Sequence, residues 1–334
     1  MCSGRRFRTI DAVTAIADVE PGRWDELLHR IGVTDVYCSE GFVRASASLV
    51  SAEPVLLHDG GDAVFPVLVR AEPTDVVTPY GYGGPVGADA GFRGAYEEWC
   101  ARRGVITSFV VFHPLFGNDR RADDLGFRRV PLGGTVAWDL GGDLRAGMHR
   151  HHRRLVRRAE REGLAATATP APDDLDEFVA LYSDAMRRLG ASPFYLFGPS
   201  YWESLLRDVP LVRVDVRDGA GALAASVLGM GRPPWLHYHL GASTADGLGT
   251  GASHLALCAL AEWGQANGYA LLHLGGGVGG SADSLLEYKL RFAPDGLRPS
   301  ATGRAVHDTA AYARLTGSDR VDWEGFFPAY RRPY

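Results

Sequence analysis

A repeated order of predicted helices and strands constrains the fold of this chain more than any other feature. The segment Trp99–Gly104 ends one predicted helix and precedes a strand, and the similar segment Trp263–Gly268 does the same in the second half. The strand-like runs around both segments are short and separated by Gly, Pro and Asp turns. Two similar halves with alternating helices and strands predict an α/β fold (α+β in its mixed sheets).

The repeat also predicts the domain boundaries. Gly141-Gly142 marks the junction, so we expect an N-terminal domain over residues 1–142 and a C-terminal domain over residues 143–312. At ~150 residues per domain, the length of 334 residues agrees with two domains. The tail, residues 313–334, should pack back on the N-terminal domain because it is too aromatic for a free end. Its aromatic residues are Trp323, Phe326, Phe327, Tyr330 and Tyr334.

The composition is that of a soluble globular protein, with 46% hydrophobic and 22% charged residues. No run approaches the ~20 apolar residues of a membrane helix. The basic segment Met1–Arg8 leads into acidic residues and not into an apolar run, which predicts no secretory signal and a cytoplasmic location. Cys2, Cys38, Cys100 and Cys258 form no CxxC pair or Cys/His cluster, so we expect no structural zinc or disulfide framework.

Lysine occurs once, at position 289, although lysine and arginine together number 35. A coding bias toward arginine explains most exposed cations, since either residue serves on a solvated surface. It does not explain why this lysine was retained. A lysine ammonium is a compact, rotatable point charge, whereas a guanidinium is a planar fork. Lys289 is therefore a candidate for a site that arginine cannot fill.

A cationic helix is predicted directly after the domain junction. The net charge of −5 excludes a globally basic nucleic-acid binder but leaves room for a local patch. Helical spacing places Leu144, Met148, Leu155 and Ala159 on one face. The opposite face carries Arg150, Arg154, Arg157, Arg158 and Arg161. Such a face is either a solvated surface or a site for a phosphate-rich partner such as a tRNA backbone, a diphosphate or coenzyme A. We favour the phosphate partner, because unpaired arginines repel one another.

A strand, a glycine-rich loop and a short helix follow one another over Leu271–Phe292. Gly275, Gly277 and Gly280 match GxGxxG, but the helix that follows is only about two turns long and does not open the first βαβ unit of its domain, which argues against a dinucleotide site. The absence of a following GK[ST] excludes a Walker loop. The glycines either let the strand and helix pack closely or form part of a substrate site.

The order of four motifs resembles the Fem family of aminoacyl-tRNA-dependent transferases. In chain order the segments are Asp35–Phe42, Thr78–Pro85, Arg153–Gly163 and Asp283–Phe292. They are similar to the family's early Asp-Val-Tyr element, its tyrosine/glycine loop, its basic helix and its aromatic-Lys-x-x-Phe element. The resemblance spans most of the chain, and the order of the motifs carries it.

This resemblance implies two tandem acetyltransferase-like (GNAT) domains. It also implies that an aminoacyl group passes from aminoacyl-tRNA, a co-substrate, to the amine of a small molecule or peptide, with no cofactor. The long helical-hairpin insertion of some cell-wall members has no counterpart, which favours the antibiotic-pathway type of the family. Lys289 is the expected catalytic cation, facing the tetrahedral oxyanion.

Further site residues are expected on the same grounds. Substrate contacts are expected from Tyr37, Tyr80, Tyr82, Tyr195, His237, Tyr238, Asp283 and Tyr288. Contacts to tRNA phosphates are expected from Arg150, Arg154, Arg157 and Arg158. If a base is needed, the candidates are Asp283, Glu287 and His237. We expect no membrane insertion and no protein partner.

Two other functions remain open at this point. A coenzyme A-dependent GNAT N-acyltransferase needs an Arg/Gln-x-x-Gly-x-Gly/Ala pyrophosphate loop, but the corresponding segment begins with Asp246, which repels phosphate. A catalytically silent tRNA- or peptide-binding protein is the other. A metal at His237 and His239, which share one face of a strand, lacks an evident third ligand, so we expect none.

Overall fold

The structure, a computed structural model, describes residues 16–332. Within that range all strands form one mixed sheet in the order β1-β2-β3-β4-β5-β12-β6-β11-β10-β9-β8-β7. The strands are β1 (Ala17–Asp18), β2 (Glu53–His58), β3 (Val64–Arg70), β4 (Asp75–Val77), β5 (Thr107–Val111), β6 (Arg128–Asp139), β7 (Ala165–Pro170), β8 (Leu211–Arg217), β9 (Leu223–Arg232), β10 (Trp235–Ser243), β11 (Leu271–Gly276) and β12 (Leu297–Val306). The mixed α/β class predicted from the sequence is confirmed.

Helices cover the sheet. They are α1 (Trp24–Arg30), α2 (Glu40–Val50), α3 (Ala90–Arg103), α4 (Leu144–Gly147), α5 (Arg150–Arg161), α6 (Asp176–Arg188), α7 (Pro199–Asp208), α8 (Ala252–Ala266), α9 (Ser284–Leu290) and α10 (Thr309–Thr316). Among the described residues, no helix is long and apolar enough to cross a membrane.

Each half contains one parallel strand pair, and the repeated sequence segments explain both. Helix α3 connects β4 to the parallel β5, and helix α8 connects β10 to the parallel β11. Gly104 stops α3 in a left-handed conformation, with φ of 65°, and Gly268 follows α8 with φ of 80°. Glycine adopts this conformation without a Cβ clash. The segments Trp99–Gly104 and Trp263–Gly268 therefore end the two crossover helices.

The two halves are joined through β6 and β12. Strand β12 lies between β5 and β6 and runs antiparallel to both. The second part of β6, from Thr135 to Asp139, pairs with β11. A strand from late in the chain thus completes the sheet of the first half. The boundary between residues 142 and 143 remains a prediction.

The described part of the tail contacts the first residues of β4 and β5, which are neighbouring strands. Arg331 Nε is 2.9 Å from Oδ2 of the buried Asp75, and the Tyr330 hydroxyl is 2.6 Å from Thr107 Oγ1. Trp323 and Phe327 stack on each other, with ring centroids 5.8 Å apart. Tyr334, like Met1–Arg8 with Cys2, lies outside the described residues.

The cationic segment is not one helix. Asp143 caps α4 through the amide of Ala146, at 3.0 Å, but Met148 is extended and α5 begins only at Arg150. The buried face of α5 comprises His152, Val156 and Ala159, while Leu155 is half-buried. The prediction of a continuous apolar face from Leu144 to Ala159 was wrong, because the break at Met148 shifts the register of α5.

Candidate active site

Strands β10 and β11 separate after a short paired segment, and the gap between them is a cleft in the sheet. The two parallel strands pair over three residues only, ending with His237 opposite His273. Beyond that point β10 follows β9, with a bulge after Tyr238, and β11 follows β6, with a bulge after His273. Bulges bend a strand and redirect its side chains. The end of β11 and the loop before α9 consequently form one wall of the cleft.

Lys289 lies in this wall. It is 7% exposed, and its ammonium donates a 2.6 Å hydrogen bond to the carbonyl oxygen of Gly276. Among the described residues, no carboxylate lies within ion-pairing distance of it. Burial lowers the pKa of Lys289 to about 8, with Asp283 opposing that shift. The side chain is thus a buried cation at neutral pH whose partner is a neutral carbonyl group.

Gly275 leaves the space beside Lys289 open. A β-carbon built on this residue would lie 3.5 Å from Lys289 Nζ and 3.4 Å from the Tyr82 hydroxyl, and φ is 73°. The ring of Tyr238 lies 5.7 Å from the same ammonium. Burial raises the pKa of both Tyr82 and Tyr238 to about 12, so both phenols stay neutral. The Tyr82 hydroxyl and the Lys289 ammonium therefore both lie beside Gly275, and the Tyr238 ring lies near that ammonium.

Asp283 and Tyr288 lie near Lys289 in the sequence, but their side chains have other partners. Asp283 accepts the amide hydrogens of Leu286 at 2.9 Å and Val278 at 2.8 Å, so its carboxylate caps α9 and closes the glycine-rich loop. Tyr288 faces α5, with its ring 5.2 Å from that of His152. Neighbouring helical residues point in different directions, which explains why Tyr288 and Lys289 separate.

The remaining predicted tyrosines, Tyr37, Tyr80 and Tyr195, belong to one aromatic cluster with Tyr82. Tyr37 meets Tyr82 edge-on, with ring centroids 5.4 Å apart, and Tyr80 lies 5.9 Å from Phe194. Tyr195 is half-buried next to Phe194 in the loop between α6 and α7. These rings extend from the cleft to the molecular surface, where Phe194 is 48% exposed.

A buried group of one carboxylate and three imidazoles lies under these tyrosines. His237 Nε2 is 2.8 Å from Asp35 Oδ2, His113 Nε2 is 3.4 Å from Asp35 Oδ1, and His237 Nδ1 is 3.3 Å from His273 Nδ1. All four side chains are essentially inaccessible. The sequence indicated only His237 and the Asp35 motif. Asp35, His113, His237 and His273 come from four separate segments, and no spacing rule links them.

Asp35, His113 and His237 are placed as metal ligands could be, with one candidate atom of each within 4.8 Å of the others. The hydrogen bonding argues for a different arrangement. The Leu115 amide is 3.3 Å from His113 Nδ1, so this nitrogen accepts and the hydrogen of a neutral ring is on Nε2, facing Asp35. A metal would require the lone pair at Nε2. The donor set therefore fits a hydrogen-bonded carboxylate better than it fits a metal.

Asp35 carries the negative charge of this buried group. Burial alone would raise the pKa of Asp35, but His237 and His113 offset this effect and hold the pKa well below its usual value. Burial lowers the pKa of His113, and burial together with His237 lowers that of His273. An ionised carboxylate thus faces imidazoles that resist a positive charge.

The cationic helix α5 is docked on the helix that carries Lys289. His152 Nε2 is 2.9 Å from the carbonyl oxygen of Tyr288, and the His149 amide donates to the carbonyl of Arg291 at 2.8 Å. Arg150, Arg154 and Arg157 are exposed. Arg158 is exposed too, but it pairs with Glu162 at 2.7 Å. The structure therefore packs the amino-terminal part of α5 against the segment Tyr288–Arg291 and leaves the arginine face exposed.

The loop before α8 is covered by α5. A β-carbon on Gly251 would lie 2.6 Å from the Leu155 carbonyl oxygen, and Gly251 has φ of 91°. Only glycine fits so close to another backbone. The amino end of α8 is thus packed against a neighbouring helix, next to Asp246 at the start of the loop.

Comparisons with known proteins agree with this architecture. The family model described as an acetyltransferase (GNAT) domain matches residues 146–290, so a GNAT domain occupies that segment. No curated protein matches the chain in sequence. The structure of FemX is similar with a TM-score of 0.64 at 12% identity, covering 91% of this chain and 100% of FemX.

Two further solved structures share the fold. L-PGS from Bacillus licheniformis has a TM-score of 0.59 at 17% identity, covering 86% of this chain and 92% of that one. A tandem GNAT protein from the clavulanic acid biosynthesis pathway has a TM-score of 0.53 at 11% identity, covering 88% and 98%. At these identities the likeness concerns the fold, and the predicted fold of tandem GNAT type is confirmed.

Proposed function

We propose that this protein forms amide bonds by transferring an aminoacyl group from aminoacyl-tRNA to the amine of a small molecule or peptide. The observation that carries the proposal is the position of Lys289, a buried ammonium whose hydrogen-bond partner is a carbonyl oxygen, beside the gap between β10 and β11 of a GNAT-type fold. For an acyl donor that is already activated, a cation at the carbonyl oxygen stabilises the oxyanion that forms there.

The proposed reaction is the aminolysis of an ester. The neutral amine attacks the aminoacyl carbonyl carbon, a C–N bond forms, and the carbonyl oxygen becomes an oxyanion. The C–O bond to the tRNA ribose then breaks, and the leaving oxygen takes up a proton. Because the ester is already reactive, positioning supplies much of the acceleration. The Lys289 ammonium stabilises the oxyanion in a cleft with little water.

The arginine face of α5 supports tRNA as the donor. Arg150, Arg154 and Arg157 have no carboxylate partner in the described part of the chain, and α5 contacts the lysine-bearing helix directly. Phosphates neutralise such a face. Arg158 is a weaker candidate for this role, because Glu162 already pairs with it. The similarity to FemX, together with the order of the Fem-like motifs, supports the same donor.

Coenzyme A is the alternative donor, and the GNAT match over residues 146–290 favours it. Two features near α8 count against it. Asp246 places a negative charge at the start of the loop, and α5 covers Gly251 at the amino end of the helix. A pyrophosphate needs free amides and cations at such an end.

Tests of the donor and acceptor use one assay. The protein is incubated with a mixture of charged tRNAs and a panel of amines, dipeptides and phosphatidylglycerol vesicles, and new amides or esters are sought by mass spectrometry. We expect an amide that disappears after RNase treatment and does not form with acetyl-CoA alone. Acylation of an amine by acetyl-CoA in the absence of RNA would establish the coenzyme A alternative instead.

The acceptor is proposed to be a natural-product amine, as in antibiotic pathways. The support is the missing helical-hairpin insertion and the apolar, aromatic route formed by Tyr80, Phe194 and Tyr195 from the cleft to the surface. A product found only with phosphatidylglycerol would contradict this part of the proposal and leave the tRNA donor intact.

A further inference from the structure

The buried pair Asp35 and His237 has a defined hydrogen-bond direction. Asp35 caps the short turn Val36–Cys38, and its Oδ1 accepts the Tyr37 amide at 2.9 Å. Its Oδ2 lies 2.8 Å from His237 Nε2. Since an ionised carboxylate only accepts, His237 must carry a hydrogen on Nε2.

That hydrogen sets the arrangement of the next imidazole. In a neutral His237 the remaining nitrogen, Nδ1, is an acceptor, and it lies 3.3 Å from His273 Nδ1. His273 then carries its hydrogen on Nδ1 and a lone pair on Nε2. This Nε2 is buried and has no hydrogen-bond partner among the described residues. The two ring nitrogens point in different directions, so Nε2 faces away from His237.

His273 is buried at the point where β10 and β11 stop pairing. It precedes Gly275 by two residues on β11, and its ring centroid is 5.0 Å from that of Tyr82. Tyr82 and Lys289 converge beside Gly275. The unpartnered nitrogen of His273 therefore belongs to the same region as the proposed catalytic lysine.

We propose that Asp35, His237 and His273 form a proton relay in which His273 takes the proton that the acceptor ammonium loses before it attacks. This inference rests on the proposed aminoacyl transfer. An N–H bond of the ammonium breaks and one forms at His273 Nε2. The Nδ1–H bond of His273 breaks and one forms at His237 Nδ1. The positive charge ends on His237 beside the Asp35 carboxylate, and one proton is later released to solvent.

Stabilising the oxyanion needs a cation and deprotonating the acceptor needs a base, and one residue cannot be both at the same time. Lys289 must be an ammonium to stabilise the oxyanion, so it cannot also be the base. An α-amino group has a pKa near 8 and a lysine-type amine near 10, so the acceptor arrives largely as an ammonium. A positioned base is worth about 10²- to 10⁴-fold in rate. Here His273 is the base. His237 positions it and takes up the proton, and the Asp35 carboxylate balances the positive charge.

The titratable groups that face the relay come from several elements. They are His113 from the loop after β5, Tyr37 and Cys38 from the turn before α2, Tyr82 from the loop after β4, and Lys289 from α9. His113 Nε2 lies 3.4 Å from Asp35 Oδ1. Lys289 opposes a positive charge on His273, and Asp35 favours it. Placing the final charge on His237 keeps it next to the carboxylate.

The resting arrangement is tested by side-chain ¹⁵N NMR on protein labelled at histidine, with no substrate present. We expect His237 with its hydrogen on Nε2 and His273 with its hydrogen on Nδ1. A resting His273 that carries its hydrogen on Nε2 would overturn the relay.

The functional role is tested by the pH dependence of amide formation. His273→Gln should lose about a hundredfold or more in kcat with little change in KM. Asp35→Asn should lower the maximal kcat. It should also move the acidic limb of the kcat profile to lower pH, because loss of the carboxylate makes the two imidazoles less basic. The matched control is Asp215→Asn. Asp215 on β8 is a buried carboxylate that accepts a hydrogen bond from Ser226 on β9, away from the cleft. The pH dependence of kcat in Asp215→Asn should therefore have the same acidic limb as that of the parent.

Failure of the proposed function and failure of the relay give different results. If the parent forms no amide with any donor, the proposed function fails, and the NMR result still decides the resting arrangement. If the parent is active while folded Asp35→Asn and His273→Gln retain its pH profile, the relay is wrong and the aminoacyl transfer stands. Circular dichroism and urea unfolding establish that each variant is folded.

Discussion

The Lys289 ammonium donates its hydrogen bond to the carbonyl oxygen of Gly276, 2.6 Å away, and not to a carboxylate. A neutral acceptor compensates only part of the cost of burying a charge. The folded protein consequently carries a destabilising cation at neutral pH, near Tyr82 and Tyr238. Such an arrangement is typical of groups kept for chemistry.

Replacing this lysine with a neutral residue of similar length should stabilise the fold. The folded-state pKa is about 8 and the unfolded value about 10.4, so below pH 8 the charge is present in both states and burial is unfavourable. Lys289→Met should raise the free energy of unfolding at pH 7 by up to about 3 kcal/mol. Urea unfolding at pH 7 and pH 10 checks this. The gain should shrink at pH 10, because the parent becomes more stable as the pH rises through that window.

The same substitution should remove activity. Loss of one oxyanion-stabilising group costs roughly a hundredfold or more in kcat, and Lys289→Ala or Lys289→Met should show at least this loss. Lys289→Arg should recover little, because a planar guanidinium cannot reproduce the single short contact. Turnover near that of the parent in Lys289→Arg would contradict a point-charge role.

Activity should also decline with rising pH. Lys289 acts as an ammonium in the proposed reaction, and its pKa is about 8, so kcat should fall as the pH increases through about 8. The measurement is single-turnover amide formation at short times, because the ester donor hydrolyses in alkali. A rate that keeps increasing to pH 10 would argue against a cationic Lys289.

Reversing charges on α5 should weaken the binding of tRNA. Arg150→Glu combined with Arg154→Glu should remove two of the proposed phosphate contacts, so affinity should fall and the salt dependence of binding should become shallower. Filter binding at several salt concentrations measures both. The matched control is Arg314→Glu with Arg320→Glu, two exposed arginines near the tail. Equal losses in both pairs would show a general charge effect and not a site.

The tail should contribute to stability through Asp75. Arg331→Met leaves this buried carboxylate with Arg70, at 2.5 Å, and without one of its two cationic partners. We expect a loss of about 1–3 kcal/mol in the free energy of unfolding, measured by urea titration. Asp75→Asn combined with Arg331→Met should lose less than the sum of the single changes, because the two residues interact directly.

The sequence predicted the fold class because its signals are local. The helices that connect the parallel strands end at Gly104 and Gly268, and each glycine stands at a fixed place in the repeated pattern. The break between α4 and α5 was missed, because Met148 and His149 carry no helix-breaking signal. The placement of β12 between β5 and β6 has no local signal either, since strand pairing across the sheet depends on the whole chain.

The candidate site was predicted only in part, and for a similar reason. Lys289 stood out by composition and Asp35 by its motif. His113 follows strand β5 and His273 lies within β11, both as isolated histidines, and such residues are more often core residues than members of a site. The group also depends on the contact between Asp35 and His237, which are separated by 202 positions.

Strand β12 has a consequence for how the protein is made. The first half of the chain lacks one strand of its sheet until residues 297–306 are available to pair with β5 and β6. During synthesis, β5 therefore presents an unpaired edge while almost two hundred further residues are translated. Exposed edges are sites of aggregation, so the rate of translation and the presence of chaperones should govern the yield of this protein more strongly than the stability of the finished fold.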